Sequence, residues 1–110
     1  MTKETITLSS IKGDRTIQKD RIISCKQYLV GTLIEVDDGN HYLLKERLSE
    51  LKSFLNDAYF FRVSHRELIN LNYIDAVFTH QIVLMNNKTI PLNGVKKRRL
   101  MEKIAQKVFI

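Results

Sequence analysis

The sequence predicts a mostly β domain with short helices, and three observations support this. Short runs of Ile, Val, Leu and Thr recur along most of the chain, with Gly, Asn and Asp between them, which is the pattern of strands joined by tight turns. One central stretch and the C-terminal stretch change to the spacing of a helix. The 110 residues, 44% of them apolar, are enough for a single domain over residues 1–110 that buries its own core.

The sequence of the first half of the chain predicts five strands and two tight turns. The segment at 12–15 contains Gly13 and predicts the first turn. The segment "DDGN" at 37–40 predicts a hairpin turn, because glycine and asparagine adopt positive φ at low cost. The predicted strands are residues 5–8, 16–17, 20–24, 28–36 and 41–44.

A helical stripe follows these strands. In "LLKERLSELKSFLND" the leucines at 44, 48, 51 and 55 recur at spacings of 4, 3 and 4. That spacing places them on one face of a helix, with the charged residues mostly on the solvent side. We expect a helix of about three turns that covers the core and ends near Asn56–Asp57.

Strand composition returns after residue 58 and ends in a second helix. The tripeptide "NNK" at 86–88 predicts a tight turn, and Asn93 is a suitable N-cap for the final helix. The predicted apolar side of that helix is Leu100, Met101, Ile104 and Val108. The predicted strands are residues 59–63, 68–71, 74–79, 81–85 and 88–92.

The whole net charge of the chain lies at its C-terminal end. Up to Asn87 there are 11 basic and 11 acidic residues, whereas residues 88–110 contain seven basic residues and Glu102 as their one acid, a net charge of +6. This run is either a solvated helix or a polyanion-binding patch, with nucleic acid preferred over a membrane surface. Residues 96–99 are all basic and fall in the first turns of the predicted helix, where positive charge opposes the helix dipole. A bound anion would relieve that repulsion.

Several classes of protein are disfavoured. No apolar run approaches the roughly 20 residues that cross a bilayer, and the N-terminus lacks the apolar stretch of a signal peptide, so we expect no membrane insertion and a cytoplasmic location. Cys25 is the one cysteine, which leaves no internal disulfide. His41, His65 and His80 lack the spacing of metal ligands, and no nucleophile motif occurs. The sequence therefore predicts neither an enzyme nor a cofactor.

Four polar residues, 64–67, interrupt an apolar run between Phe60 and Leu71. They form either an ordinary solvated turn or a turn that presents its side chains to a ligand. The segments "LSELKSFL", "YFFRVSHRELINLNYIDAV" and "NNKTIPLNGVKKRRLMEKI" resemble, in order and spacing, the motifs of the LytTR family of bacterial DNA-binding domains. The resemblance covers essentially the whole chain. It implies an elongated, mostly β fold of three sheets with short helices, and a transcription regulator that places loops into successive major grooves.

The resemblance also implies which residues contact DNA. The turn Ser64-His65-Arg66 would project into the groove, with His65 at a base-contact position. Arg62 would contact phosphate or have a structural role, and Asn70 would hold the backbone of the turn. Two further segments would supply the other contacts, the loop at 26–31 and the segment at 93–97, with Arg98 next to it. Their expected DNA-binding residues are Lys26, Gln27, Tyr28, Asn93, Lys96, Lys97 and Arg98.

The chain departs from the family pattern at three places. Ser64-His65-Arg66 stands where the pattern has His-Arg-Ser. Glu67 replaces an aromatic residue and would repel phosphate unless it pairs with Arg66 or accepts from a cytosine amino group. Gly94 stands where the family usually has a base-reading arginine. These departures affect the expected target sequence and leave the expected fold unchanged.

The preferred interpretation is a sequence-specific regulator that binds double-stranded DNA, with two protomers on tandem repeat sites. The alternative is a protein-interaction module that binds another regulator or a membrane-bound inhibitor. RNA binding is a weaker third option, because aromatic residues suited to base stacking are not evident. The Met1 start favours a free-standing regulator over an excised response-regulator output domain.

Overall fold

The computed structural model describes residues 5–55 and 59–108, with side-chain environments up to Gln106. The chain divides into two compact units, the first ending at Asn70 and the second beginning at Leu71. Within this described part, neither α-helix is long and apolar enough to span a membrane.

The described residues of the first unit form seven strands and one α-helix. The strands are β1 (Thr5–Ser10), β2 (Gly13–Gln18), β3 (Ile22–Tyr28), β4 (Gly31–Val36), β5 (His41–Leu44), β6 (Phe60–Ser64) and β7 (Glu67–Asn70), and the helix is α1 (Leu48–Phe54). All seven strands belong to one sheet in the order β2-β1-β5-β4-β3-β7-β6. Each neighbouring pair is antiparallel. The strand β3 therefore lies between its hairpin partner β4 and the distant β7.

The second unit is smaller. Its strands are β8 (Ile74–Val77), β9 (Gln81–Leu84) and β10 (Thr89–Pro91), and its helix is α2 (Gly94–Val108). The strands form an antiparallel sheet in the order β10-β9-β8. The turn between β9 and β10 contains Asn87 with a φ of 68°, which confirms the turn predicted from "NNK".

The prediction of a mostly β fold with short helices is confirmed. The described strands form two hydrogen-bonded sheets, whereas the resemblance implied three. The reason is local: the β1–β2 ribbon joins the rest of the first sheet through the single pair Ser10 and Leu44. That pair merges what would otherwise be two separate sheets into one of seven strands.

The core of the first unit is built from alternating strand positions. In β4, Thr32, Ile34 and Val36 are buried and the residues between them are partly exposed, as expected for a strand with one covered face. The core cluster consists of Ile6, Leu8, Ile17, Ile22, Cys25, Ile34, Val36, Leu44, Leu48, Leu51, Leu55, Phe60 and Leu68. These residues fix the strands whose ends carry the expected DNA-contacting side chains.

The first helix is shorter than its leucine spacing predicts. Leu44 is buried in β5, where it pairs with Thr32 and Ser10, so the helix begins only at Leu48. Its start is fixed by Glu50, whose Oε1 accepts a hydrogen bond from the Arg47 backbone N–H at 3.2 Å. The other three leucines of the stripe are buried as predicted. The predicted end at Asn56–Asp57 lies outside the described residues.

Three other expectations required correction. The predicted strand at 28–36 is two strands, because a turn at Leu29–Val30 divides it. Residues 19–21 form a short 3-10 turn, whereas the sequence predicted that a strand begins at 20. On α2, Leu100 is fully buried while Met101 is 46% exposed. Met101 lies about 100° around the helix from Leu100, so both cannot occupy the centre of one narrow apolar face.

Candidate nucleic-acid interface

The β3–β4 hairpin ends in an apolar tip. Leu29 is 100% exposed, Val30 74% and Tyr28 46%. The Nζ of Lys26 lies 5.6 Å from the centre of the Tyr28 ring, a distance suited to a cation–π contact. Gly31 closes the hairpin, and a Cβ there would collide with the carbonyl oxygen of Leu44. Glycine is therefore required at this position to bring β4 close to β5.

The turn at residues 64–66 joins β6 to β7 and exposes three side chains. Ser64, His65 and Arg66 are all exposed. Arg62 holds the backbone of the turn: its Nε donates to the Ser64 carbonyl at 3.1 Å and its Nη2 to the His65 carbonyl at 2.6 Å. The Ser64 hydroxyl also accepts from the Arg66 backbone N–H at 3.2 Å. The polar interruption of the apolar run is thus a braced turn that presents His65 and Arg66 to solvent.

The turn and the hairpin are connected, because β3 and β7 are neighbours in the sheet. The Gln27 backbone N–H donates to the Arg66 carbonyl at 2.7 Å. The Oε1 of Gln27 accepts from the backbone N–H of Leu48 at 3.1 Å, so its amide also links β3 to the first residue of α1. These contacts give Gln27 a positioning role in addition to any contact with DNA.

Two buried residues beside the turn are structural. Asn70 is fully buried and its Nδ2 donates to the Ile22 carbonyl at 2.9 Å. It is therefore structural, but this bond fixes the start of β3 and not the backbone of the 64–66 turn, which the sequence predicted. Glu67 is only 7% exposed. In the antiparallel register of β7 and β3, its backbone lies opposite that of Lys26. The expectation that Glu67 faces phosphate or a cytosine amino group is therefore wrong, because its side chain is buried.

A surface depression of about 350 Å³ lies beside the hairpin tip, lined by Gln27, Tyr28, Leu29, Arg47 and Arg66. Among the described residues that line it, two are arginines and none is acidic, so the depression favours an anion. Arg47 is not among the contact residues predicted from the sequence, because the leucine spacing places it within a longer helix. The available signal was Glu50, three residues after Arg47, a spacing typical of a helix that begins after Arg47.

The basic segment of the second unit begins at a capped helix. The Oδ1 of Asn93 accepts from the Lys96 backbone N–H at 2.8 Å, and its carbonyl accepts from the Lys97 N–H at 2.9 Å. Asn93 is therefore the N-cap, as predicted. Lys96 and Lys97 are partly buried, whereas Arg98 is exposed.

Gly94 opens α2 without any steric need for glycine. A Cβ at this position would meet nothing within 4 Å, and its φ lies outside the left-handed region. An arginine would fit here.

The structure thus brings the predicted residues together in two groups. The first unit holds those of the hairpin and the 64–66 turn, and the second holds those at the start of α2. No three His, Cys, Asp or Glu side chains in the described part of the chain approach one another closely enough to hold a metal ion.

Comparisons with known proteins identify the family. The sequence model of the LytTr DNA-binding domain matches residues 13–105. A solved structure of similar fold is the LytTr DNA-binding domain of a methyl-accepting/DNA response regulator from Bacillus cereus, with a TM-score of 0.76 at 16% identity over 94% of this chain and 98% of that one. No curated protein sequence matches the chain. Because the family model covers most of its length, the chain belongs to the LytTR family, which consists of DNA-binding domains of transcription regulators and not of enzymes.

Proposed function

We propose that this protein regulates transcription by binding double-stranded DNA sequence-specifically, with its loops in successive major grooves. The observation that carries the proposal is the 64–66 turn. It exposes His65 and Arg66 while Arg62 holds its backbone through two hydrogen bonds. Side chains that donate hydrogen bonds from a fixed backbone can read guanine N7 and O6 in the major groove.

In this proposal the DNA-contacting residues of the first unit have two roles, contact with base edges and contact with phosphates. His65 and Arg66 contact base edges, whereas Lys26 and Arg47 contact phosphates. Arg47 and Arg66 line the same depression, so the phosphate that Arg47 contacts would lie next to the base pair that Arg66 reads. The turn is tied to β3 by the bond from Gln27 to Arg66, which keeps the base-reading and phosphate-binding groups in one register.

The second unit supplies a further set of phosphate contacts from Lys96, Lys97 and Arg98. Their support is the +6 net charge confined to residues 88–110 and their place in the first turns of α2. Each contact that releases a counterion contributes about 0.9 to the slope of log affinity against log salt. Lys97→Ala and Arg98→Ala should each flatten the slope by about that amount on every DNA sequence.

Gly94 gives the proposal a test at the level of single base pairs. Because a Cβ there meets nothing, Gly94→Arg should fold and should gain a preference for sites with guanine opposite this segment. Arginine has the bidentate fork that lysine lacks. A stable variant with no new guanine preference would remove this segment from the groove.

We further propose that the protein acts in the cytoplasm and that two protomers bind each DNA site, one on each of two tandem repeats. One protomer offers few base-reading side chains, and a second copy on an adjacent repeat would add affinity without further contacts inside the protomer. Sedimentation of complexes on DNA with one or two repeats gives the number of bound protomers directly.

The deciding experiment is selection of bound fragments from random or genomic DNA, followed by titration of the enriched site. His65→Ala should cost about 1–3 kcal/mol on that site and much less on unrelated DNA. His41→Ala is the matched control, because His41 is an exposed histidine of the same unit. Both variants should melt like the wild type. Failure to enrich any site would refute sequence-specific binding.

One observation favours the alternative of a protein-interaction module, namely the exposed aliphatic tip at Leu29 and Val30. An apolar interface with another regulator or a membrane-bound inhibitor would depend weakly on ionic strength, whereas DNA binding weakens steeply with salt. Titration at several salt concentrations distinguishes the two.

A further inference from the structure

The tip of the β3–β4 hairpin carries residues that folding does not require there. Leu29 and Val30 occupy the turn with exposed fractions of 100% and 74%. Tight hairpin turns usually contain Gly, Asn or Asp, which adopt turn conformations readily and are well solvated. A single exposed leucine is ordinary on a protein surface, but two successive aliphatic residues at a turn gain nothing from the fold. A ligand that covers them would explain their presence.

The surroundings of the tip indicate the chemistry of that ligand. Leu29 lines the depression that also holds Arg47 and Arg66, and no acidic residue of the described part of the chain lines it. Lys26 stands beside the Tyr28 ring at the base of the same tip. The ligand must therefore combine a high density of negative charge with a small apolar group. In the major groove of DNA, phosphates flank the base edges, and the 5-methyl of thymine is the apolar group exposed there.

We propose that the Leu29–Val30 tip enters the major groove and recognises thymine through its 5-methyl group. This inference rests on the proposed function and adds a residue-level rule of specificity to it. Lys26 and Arg47 contact the phosphates, and the two aliphatic side chains lie against one or two thymine methyls. The adjacent 64–66 turn reads its own base pairs by hydrogen bonds. The hairpin therefore selects A·T pairs by apolar contact, although it carries no adenine-reading amide at its tip.

The test replaces single thymines of the selected site with deoxyuridine, which removes only the methyl group. At each position under the tip, the wild type should bind about fourfold more weakly, the factor expected when one methyl-sized group is no longer buried. Deoxyuridine outside the protected region should have no effect. This scan locates the contacted base pairs without any change to the protein.

The matching protein variants complete a double-mutant cycle. Leu29→Ala should weaken binding to the thymine site and should lose the discrimination between thymine and uracil, whereas Leu29→Ile should retain it. Ile11→Ala is the control: Ile11 is 61% exposed but lies beyond the end of β1, in the turn that leads to β2. Melting curves should be unchanged for Leu29→Ala, because a fully exposed side chain contributes little to folding.

The outcomes separate this inference from the function on which it rests. If the wild type binds an enriched site but binds thymine and uracil versions equally, the inference is overturned and the proposed function stands. Loss of affinity in Leu29→Ala that is equal on both versions also overturns it, since the contact is then not with the methyl. If no DNA site is enriched at all, the proposed function fails first.

Discussion

The two turns at the ends of β4 contrast sharply in what they leave exposed. The turn at 37–40, which leads into β5, satisfies its own polar groups. Arg21 Nε lies 2.8 Å from Asp37 Oδ1, and the Asn40 backbone N–H donates to Asp38 Oδ1 at 2.9 Å. Gly39 supplies the positive φ of 88° that the turn needs. The carboxylates of Asp37 and Asp38 therefore both have partners within the protein.

The turn at 37–40, which we call the acidic turn, also shows how local contacts shift the pKa of a side chain. The backbone N–H of Asn40 stabilises the carboxylate and lowers the pKa of Asp38 below its ordinary 3.8, with smaller contributions from the Asn40 amide and the Arg21 charge. Asp37 and Asp38 are thus used for folding, although adjacent carboxylates could suggest a binding site.

The turn at Leu29–Val30 has the opposite character. It exposes apolar side chains, and arginines line the depression beside it. Its backbone is fixed by a glycine that the close approach of Leu44 requires. A turn whose polar groups bond within the protein has a structural role, whereas a turn that exposes apolar side chains beside arginines is suited to a ligand.

The largest expected effect comes from the two glycines. Gly31→Ala should destabilise the protein by about 3 kcal/mol or more, because the new Cβ collides with backbone that cannot move without breaking the β4–β5 pairing. Gly39→Ala meets nothing within 4 Å and should cost only about 1 kcal/mol for its positive φ. Urea unfolding of both variants measures the difference. Equal losses would show that the approach to Leu44 does not constrain the hairpin.

The next effect concerns the brace of the 64–66 turn. Arg62→Lys keeps the charge but cannot reproduce both hydrogen bonds to the turn carbonyls. Affinity for the preferred site should fall by about 1–2 kcal/mol, while the salt dependence stays as in the wild type. Titration against the preferred site and against unrelated DNA separates these quantities. A flatter salt slope with intact discrimination would instead make Arg62 a phosphate contact.

A smaller effect should distinguish the cations at the two ends of β4. Arg47→Ala should flatten the salt slope of DNA binding by up to about 0.9. Arg21→Ala removes an ion pair of the acidic turn and should change stability by less than about 1 kcal/mol without altering the slope. If Arg21→Ala flattens the slope as much as Arg47→Ala, the two ends do not differ in function.

The smallest effect is the pH dependence of the acidic turn. Because the pKa of Asp38 is lowered on folding, its contribution to stability is present above pH 3.8 and is lost as pH falls through the folded-state pKa. Asp38→Ala should melt slightly below the wild type at neutral pH, and in acid the difference should shrink to what an uncharged acceptor for the Asn40 N–H contributes. Asp38→Asn keeps an acceptor for the Asn40 N–H, so its smaller deficit isolates the charge. A deficit of Asp38→Asn that persists undiminished at pH 2 would contradict this account.

Local signals in the sequence determined the strands, the turns and the cap. The turn conformations at Gly39 and Asn87 and the cap at Asn93 follow from residue chemistry over four or five positions, so they could be predicted without neighbours. The ordered motifs also identified the family and the exposed turn at 64–66. The same local reasoning failed at Leu29–Val30, because a turn built from aliphatic residues has the composition of a strand.

The tertiary structure decided which of these residues serve the site. The pairing of β3 with β7 joins residues about 40 positions apart, and no local pattern specifies it. That pairing places the Arg66 carbonyl against Gln27, buries Glu67 and brings Arg66 to the depression that Arg47 also lines. Leu44 likewise belongs to a strand because β4 lies beside it, although its spacing suits the helix. Strand partners are chosen by burial across the whole sheet, so the chain order alone could not reveal them.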